Sequence, residues 1–207
     1  MKTEEAFKII GGSLSKPSKM PGWSIGLPAK ECKTGGKLQK VPGSVCYDCY
    51  ALKGCYVFKV VQDAQYRRLA AIKSPDWVQA MAHLINSKKP DVFRWHDSGD
   101  IQGVWHLEKI AEVARRLPHI KFWLPTREYR IVREWMEFGT KPDNLTIRLS
   151  AYMMNGKPPV VAKTLGLPTS GVSNDSFSCP APSQGNECKD CRACWDNDVE
   201  NINYKKH

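Results

Sequence analysis

The sequence lacks the features of a membrane-spanning or exported protein. No stretch of its 207 residues approaches the roughly 20 continuous apolar residues that a transmembrane helix needs. The opening stretch, MKTEEAFKII, carries two acids and a short apolar run, whereas a signal peptide has a basic start and a longer apolar core. Internal repeats and low-complexity tracts are also missing. We therefore expect a soluble, cytoplasmic protein without membrane contacts.

The composition is that of an ordinary globular protein. Hydrophobic residues make up 42% of the chain and charged residues 25%, both close to globular averages. A chain of this length can bury a sizeable core without covalent cross-links. We expect one α/β domain over residues 1–207.

The chain carries more positive than negative charge. The 31 Lys and Arg residues outnumber the 21 Asp and Glu residues, which gives a formal net charge of +10. Such an excess favours a polyanionic partner, namely nucleic acid, or an anionic small molecule such as a nucleotide. A basic surface that only keeps the protein soluble explains the charge equally well.

The pattern of apolar residues divides the chain into three parts. Gly, Pro and Ser recur every few positions at the start, so we predict an irregular arm over 1–45. A βα core should occupy 46–152, and a loop-rich metal-binding segment with one short strand near Val160 should follow over 153–207. Along the chain, the first helix is predicted over residues 57–72. The second is predicted to begin at Ser74, with that serine as its N-cap.

Strands and helices then alternate through the core. We predict strands at 91–95, 120–124 and 145–150, and helices at 104–117 and 129–138 between them. This alternation is typical of βαβ units with a parallel sheet. The spacing fits either an open doubly wound sheet or part of a (β/α) barrel.

Polar residues follow each predicted strand, where parallel α/β folds bind their ligands. The candidate ligand-binding residues are His96, Asp97, Ser98, Gly99 and Asp100 after the first strand, Arg127 after the second and Ser150 at the end of the third. Their carboxylates suit an amino group or hydroxyls, and the arginine suits a carboxylate or phosphate. Taken singly, several of these residues are also common helix caps and turn formers. Three such sets at successive strand ends favour a shared pocket.

Four of the eight cysteines lie close together near the C-terminus. Cys188, Cys191 and Cys194 form a CxxCxxC motif, and Cys179 precedes them. In a reducing cytosol, closely spaced thiols more often bind metal than form disulfides. The spacing favours an iron–sulfur cluster over a zinc site, since zinc sites usually combine two CxxC pairs, although a four-thiolate zinc site fits as well.

A second group lies before the first long helix. Cys46 and Cys49 form a CxxC pair, and Cys32 lies upstream. The pair alone could be a redox dithiol or half a metal site. Together, the three thiols could hold a cluster and leave its fourth iron open, which a catalytic cluster requires. Cys55 fits neither group.

Five stretches of the sequence together resemble the phage gene product 88 family, and the similarity spans most of the chain, from about Gly22 to the end. They are VPGSVCYDCYALKG, FRWHDSGDIQGVWHLEKIAEVARR, FWLPTRE, LTIRLSA and CPAPSQGNECKDCRACWD. More distantly, the order of the motifs is similar to that of radical S-adenosylmethionine (SAM) enzymes. The resemblance implies a partial, radical-SAM-like (β/α) barrel with a loop-rich N-terminal arm and a Cys-rich C-terminal segment. A viral origin would place the protein in the cytoplasm of the host cell.

The resemblance to radical SAM enzymes also implies roles for individual residues. Cys32, Cys46 and Cys49 would hold a 4Fe-4S cluster, and the stretch 97–100 would meet the amino group of SAM. Arg127 and Ser150 would contact its carboxylate or ribose. We take Asp97, Asp100 and Arg127 as the catalytic candidates, and the four C-terminal cysteines as ligands of an auxiliary cluster.

The cysteine spacing departs from the radical SAM pattern. Those enzymes usually show CxxxCxxC, but Pro42 stands four positions before Cys46, and Cys32 lies thirteen intervening residues away. This departure bears directly on whether SAM is cleaved.

Three functional hypotheses follow. The first is an iron–sulfur protein with one or two 4Fe-4S clusters, a radical-SAM-like enzyme that acts on a nucleotide or nucleic acid. The second is a zinc-stabilised nucleic-acid-binding protein without catalysis. The third is a small redox protein that uses Cys46 and Cys49 as a dithiol, and it has the least support because no thioredoxin-like pattern surrounds the pair.

Overall fold

Six strands and seven helices make up the part of the chain that the computed structural model describes, residues 1–206. The helices are α1 (Thr3–Ile9), α2 (Lys33–Leu38), α3 (Lys59–Ala71), α4 (Trp77–Ser87), α5 (Val104–Arg116), α6 (Tyr129–Met136) and α7 (Val160–Leu165). The strands are β1 (Trp23–Ile25), β2 (Val92–Trp95), β3 (Lys121–Thr126), β4 (Leu145–Ser150), β5 (Thr169–Ser173) and β6 (Asn201–Lys205). No helix in residues 1–206 combines the length and the apolar character needed to cross a membrane.

All six strands form a single parallel sheet in the order β1-β2-β3-β4-β5-β6. Each strand pairs with the next strand along the chain, so β1 and β6 are the two edges. A doubly wound sheet reverses its strand order at a switch point. This sheet has no reversal, which excludes the doubly wound alternative and confirms the predicted α/β class with a parallel sheet.

One face of the sheet packs against the helices and forms the main core. Alternate side chains of β2, β3 and β4 point to this face, as expected where successive residues of a strand point to opposite sides. They are Phe93, Trp95, Phe122, Leu124, Leu145, Ile147 and Leu149, and none is exposed. Helices α4, α5 and α6 cover them and pack side by side.

The intervening residues of the same strands form a second face, which the C-terminal segment covers. Val92 and Trp123 lie there in a small buried cluster with Trp195, which comes from the 3-10 turn Ala193–Trp195. The indole Nε1 of Trp195 donates to the carbonyl of Phe93 at 2.8 Å. The connection between β5 and β6 therefore lies against the sheet, and it brings the C-terminal cysteines with it.

The strands and helices of the core agree with the sequence-based prediction. The predicted elements at 91–95, 104–117, 120–124, 129–138 and 145–150 match β2, α5, β3, α6 and β4 within two residues at each end. The helix predicted over 57–72 is α3. The predicted cap of α4 is wrong, since the helix begins at Trp77 and Asp76, not Ser74, holds the N-cap position.

The N-terminal arm is more ordered than predicted. Residues 1–45 contain α1, β1 and α2. Strand β1 pairs with β2 over three residues, and the buried Ala6 and Ile10 at α1 belong to the main core. The arm thus supplies an edge strand and part of the core, because short segments gain their stability from packing on the rest of the fold.

The region after β4 also contains more regular structure than predicted. The strand expected near Val160 is wrong: residues 160–165 are helix α7, which follows Pro159 and ends at Gly166 with φ of 62°. Strands β5 and β6 were not predicted. The predicted segment ends at His207, which lies outside the described residues.

Candidate functional site

The loops that follow β2 and β3 meet at the carboxyl edge of the sheet around Asp100. Its carboxylate accepts hydrogen bonds from Thr126 Oγ1 at 2.6 Å, from the backbone N–H of Ile101 at 2.8 Å and from that of Arg127 at 3.0 Å. Burial raises the pKa of Asp100 to about 6. The structure therefore brings Asp100 and Arg127 together at one edge.

Arg127 connects this point to the end of β4. Its Nε donates to the carbonyl of Ala151 at 3.1 Å, and its own carbonyl accepts a bond from the hydroxyl of Tyr152 at 3.1 Å. Within residues 1–206, the terminal guanidinium nitrogens of Arg127 form no hydrogen bond. They are therefore available to a ligand.

Ser98 and Gly99 join the loop after β2 to the segment after β1. Ser98 Oγ donates to the carbonyl of Leu27 at 2.7 Å and accepts a bond from Gln65 at 2.8 Å. Gly99 has φ of 79°, and a Cβ there would lie 2.6 Å from Leu27 Cβ. These contacts give both residues a structural role, whereas the sequence predicts that they bind a cofactor.

Asp97 carries an unsatisfied polar atom. Its Oδ1 is buried and has no hydrogen-bond partner among the described residues. A Cβ built on Gly26 would lie 2.7 Å from this oxygen, so only glycine fits there. A buried carboxylate oxygen without a donor is costly, which suggests that a ligand or water supplies the missing bond.

His96 directly follows β2 and is buried, with its ring close to that of the buried His106. Their ring centroids are 5.3 Å apart, and His96 Nδ1 and His106 Nε2 have no partner in residues 1–206. Burial lowers the pKa of His96 to about 3, so this imidazole is neutral near pH 7. The backbone of His96 is left-handed, with φ of 61°. His106 is fully buried as well.

Ser150 is the last residue of β4 and pairs with Ser170 of the neighbouring strand β5. Its hydroxyl pairs with that of Ser170 at 3.0 Å, and its carbonyl accepts a bond from Tyr129. It is 5% exposed. A contact between Ser150 and a cofactor, as the sequence predicts, would require this pair to open.

The three N-terminal cysteines lie together beside Asp100. Cys32, Cys46 and Cys49 are close enough to interact electrostatically, and the carboxylates of Asp100 and Glu128 act on the same thiols. A Cβ built on Gly35 would lie 3.6 Å from Cys46 Sγ and 3.7 Å from Cys32 Sγ, so the two sulfurs face the same point. We call these three residues the thiol trio.

Burial is the main influence on the pKa values of Cys32 and Cys46. It raises the pKa of Cys32, and Asp100 raises it further. Burial also raises the pKa of Cys46, although Arg127 opposes this. Thiols in such surroundings stay protonated near pH 7 unless a cation stabilises the thiolates, as a bound metal does.

Two long-range contacts position the trio, and sequence reasoning missed the first. Glu128 accepts bonds at 2.7 Å from the backbone N–H and from the hydroxyl of Thr34, which holds the start of α2 next to Cys32. Ser44 pairs with Met153 in an isolated antiparallel bridge just before Cys46. The only sequence signal for Glu128 was its place directly after Arg127.

The four C-terminal cysteines form a separate group on the second face of the sheet. Cys179, Cys188, Cys191 and Cys194 are mutually close enough to influence one another. Cys194 Sγ lies 3.2 Å from the hydroxyl of Tyr204 on β6. Burial raises the pKa of Cys194 to about 11. We call these four residues the thiol quartet.

Arg148 positions the quartet, and sequence reasoning missed it. This fully buried residue of β4 points to the second face, where its Nη1 donates to the carbonyls of Thr169 and Val199 at 2.9 Å. Its Nη2 donates to Ala193 at 3.2 Å and Asp196 at 2.9 Å, on either side of Cys194. The signal was available, because an arginine between apolar residues of a buried strand must point away from the apolar core.

Neither group has a finished metal-binding geometry. Among residues 1–206, no three His, Cys, Asp or Glu side chains are arranged to hold a metal ion. The donor chemistry fits nonetheless, since each group offers at least three thiols, the ligands that iron–sulfur clusters and structural zinc prefer. Metal ligation by the trio and by the quartet remains a prediction.

The buried carboxylate of Asp100 predicts a pH dependence of stability. Its folded pKa of about 6 lies above its ordinary value of 3.8, so the folded protein binds more protons than the unfolded chain between these pH values. The free energy of unfolding should therefore fall by about 3 kcal/mol as pH rises from about 4 to about 7.

Urea unfolding at several pH values checks this expectation. The Asp100→Asn variant carries no charge at this position and should lack the decrease. The comparison isolates Asp100 from other groups that titrate in the same range. Parallel pH profiles for the variant and the wild type would contradict the prediction.

Comparison with known proteins identifies one family. The family model described as gene product 88 matches residues 2–197. No curated protein and no solved structure matches the chain.

Proposed function

We propose that this chain, which belongs to the gene product 88 family, is an iron–sulfur protein with a partial (β/α) barrel. It acts on a nucleotide or nucleic acid in the manner of a radical SAM enzyme. The observation that carries the proposal is the position of the thiol trio, beside Asp100 and Arg127 at the carboxyl edge of the sheet. Parallel α/β folds bind their ligands at this edge.

The trio has the composition of a reactive metal site. A 4Fe-4S cluster bound by three thiolates would supply one iron that is open to a ligand. In the loops after β2 and β3, Asp97 has a buried oxygen without a partner, suited to an amine, and Arg127 has terminal nitrogens suited to a carboxylate. These groups match the charged ends of the methionyl part of SAM.

The quartet has the composition of a structural site. Four thiols can satisfy a cluster or a zinc ion completely and leave no position open. Arg148 and Trp195 hold this segment on the sheet. We assign stabilisation of the second face to the quartet and chemistry to the trio.

Anaerobic purification followed by iron, sulfide and zinc analysis tests the proposal. We expect about four to eight irons per chain and an absorbance band at about 400 nm. Stoichiometric zinc without this band would overturn the assignment of iron–sulfur clusters.

A double variant and a control test whether the trio binds the reactive cluster and the quartet a structural one. Cys46→Ser with Cys49→Ser should remove any spectroscopic change that SAM causes in the cluster and keep the iron of the quartet. Cys55→Ser, which alters an exposed thiol outside both groups, is the matched control and should change nothing. A SAM response that survives in the double variant would show that the trio does not bind the reactive cluster.

The second candidate is a zinc-stabilised nucleic-acid-binding protein without catalysis. Two observations favour it: the net charge of +10, and the long separation of Cys32 from Cys46, which is unlike the radical SAM spacing. In that protein both thiol groups would organise loops, and basic residues would contact phosphates. The metal analysis distinguishes the two candidates.

A further inference from the structure

The segment that carries Cys46 and Cys49 exposes a series of large apolar side chains. Tyr47, Val57, Phe58 and Val60 are each about half exposed or more, and Val60 reaches 72%. They belong to the two 3-10 turns Tyr50–Leu52 and Gly54–Val57 and their flanks, which pack against each other and against α3. We call these four residues the exposed strip. Several large apolar side chains exposed within one short segment favour a surface that binds a partner.

The part of the sequence that carries the exposed strip is rich in positive charge. Residues 28–73 contain nine Lys and Arg and three Asp and Glu, a net charge of +6 within a chain whose total is +10. Lys53 and Lys59 lie between residues of the strip in the sequence. Each is paired with a nearby acid, Asp48 or Asp63, in an exposed contact, and such pairs are weak in water. The surface therefore remains attractive to an anion.

The exposed strip is continuous with the candidate site. Tyr50, next to Cys49, donates to the carbonyl of Asp97 at 2.5 Å. Its ring packs edge-on against Tyr56, with centroids 5.8 Å apart. A ligand bound along the strip would thus extend to the edge of the thiol trio.

We propose that the exposed strip binds single-stranded nucleic acid and presents one nucleotide to the thiol trio. This inference rests on the proposed function and specifies its substrate class and entry surface. Single strands offer unstacked bases, which stack on exposed aromatic rings such as Tyr47 and Phe58 while basic residues hold the phosphates. A duplex keeps its bases stacked inside and offers the strip only its backbone. The combination of exposed rings and positive charge favours the single strand over a protein partner.

Fluorescence anisotropy with a fluorescein-labelled oligothymidylate tests the proposal. The protein should bind the single strand more tightly than a duplex of the same length, and the affinity should fall steeply as salt rises from about 50 to about 200 mM. The double variant Tyr47→Ala with Phe58→Ala should weaken binding by roughly tenfold or more, because each lost stacking contact removes a large part of the affinity.

Phe138→Ala is the matched control. Phe138 is 65% exposed, close to the 60% of Phe58, but it follows α6 and lies at the start of the path into β4, away from the carboxyl edge. Its replacement should leave binding unchanged. Equal losses in Phe138→Ala and in the double variant would overturn the proposal, and so would a preference for the duplex or a flat salt response.

Light scattering without nucleic acid tests whether a second copy of the chain covers the strip instead. A dimer that the double variant dissociates would overturn the proposal. Iron and sulfide are measured on the same samples, which separates the two levels of inference. Loss of oligonucleotide binding with iron retained contradicts only this inference, whereas zinc or no metal with binding retained contradicts the iron–sulfur assignment.

Discussion

Replacing Arg148 with methionine should destabilise the protein by about 4 kcal/mol and release residues 174–200 from the sheet. The guanidinium of Arg148 satisfies four backbone carbonyls, and two of them flank Cys194. Methionine fills similar space but donates no hydrogen bond, so each buried carbonyl loses its partner at a cost of about 1 kcal/mol or more. Urea unfolding measures the stability, and limited proteolysis with mass spectrometry locates the released segment.

Two further variants define what Arg148 contributes. Arg148→Lys keeps the charge but places its donors on one nitrogen, which cannot reach all four carbonyls on β5 and in 193–199, so we expect an intermediate loss. Arg133→Met, on the exposed side of α6, should change the free energy of unfolding by less than about 0.5 kcal/mol. If Arg148→Met and Arg133→Met unfold at the same urea concentration, the role assigned to Arg148 is wrong.

The core of the fold was predictable because its strands bury both faces. Strands β2 to β4 carry large apolar residues at the positions that face the helices, and the helices between them have clear apolar stripes, so each element stands out in the sequence. The two strands after β4 have a different composition. TSGVS and NINYK are mostly small or polar, and they are strands because each has a neighbour to pair with, β4 for β5 and β5 for β6. Pairing with a neighbour is a long-range effect that a local pattern does not contain.

The same limit explains which site residues were missed. The loops after β2 and β3 were predicted to meet, because the carboxyl ends of parallel strands share one edge, and the bonds from Thr126 and Arg127 to Asp100 confirm this. Glu128 holds Thr34, which is 94 positions away in the sequence. No spacing rule connects residues at that distance. Ser98 was predicted as a ligand from its position after the first predicted strand, yet its hydroxyl already bonds with Leu27 and Gln65.

Removing the metal that we propose for the thiol quartet should have its largest effect on the segment between β5 and β6. Trp195 is the one buried residue in 174–200, and the segment contains no helix or strand other than two 3-10 turns. Apolar burial of one side chain cannot offset the entropy of ordering a segment of this length. A metal bound by four thiolates can, since its binding free energy becomes folding free energy for the loops it joins.

The double variant Cys188→Ser with Cys191→Ser should therefore lose the metal of the quartet. Protease should cleave 174–200 faster by roughly tenfold or more, since each 1.4 kcal/mol of lost stabilisation raises the open population tenfold. Cys46→Ser with Cys49→Ser should lose metal as well but leave this segment protected, because the trio lies at the carboxyl edge while the quartet lies on the second face. Cys55→Ser should match the wild type in both metal content and cleavage. Equal protection of 174–200 in Cys55→Ser and in the quartet variant would mean that Arg148 and Trp195 suffice to hold the segment, and that the quartet has no structural metal.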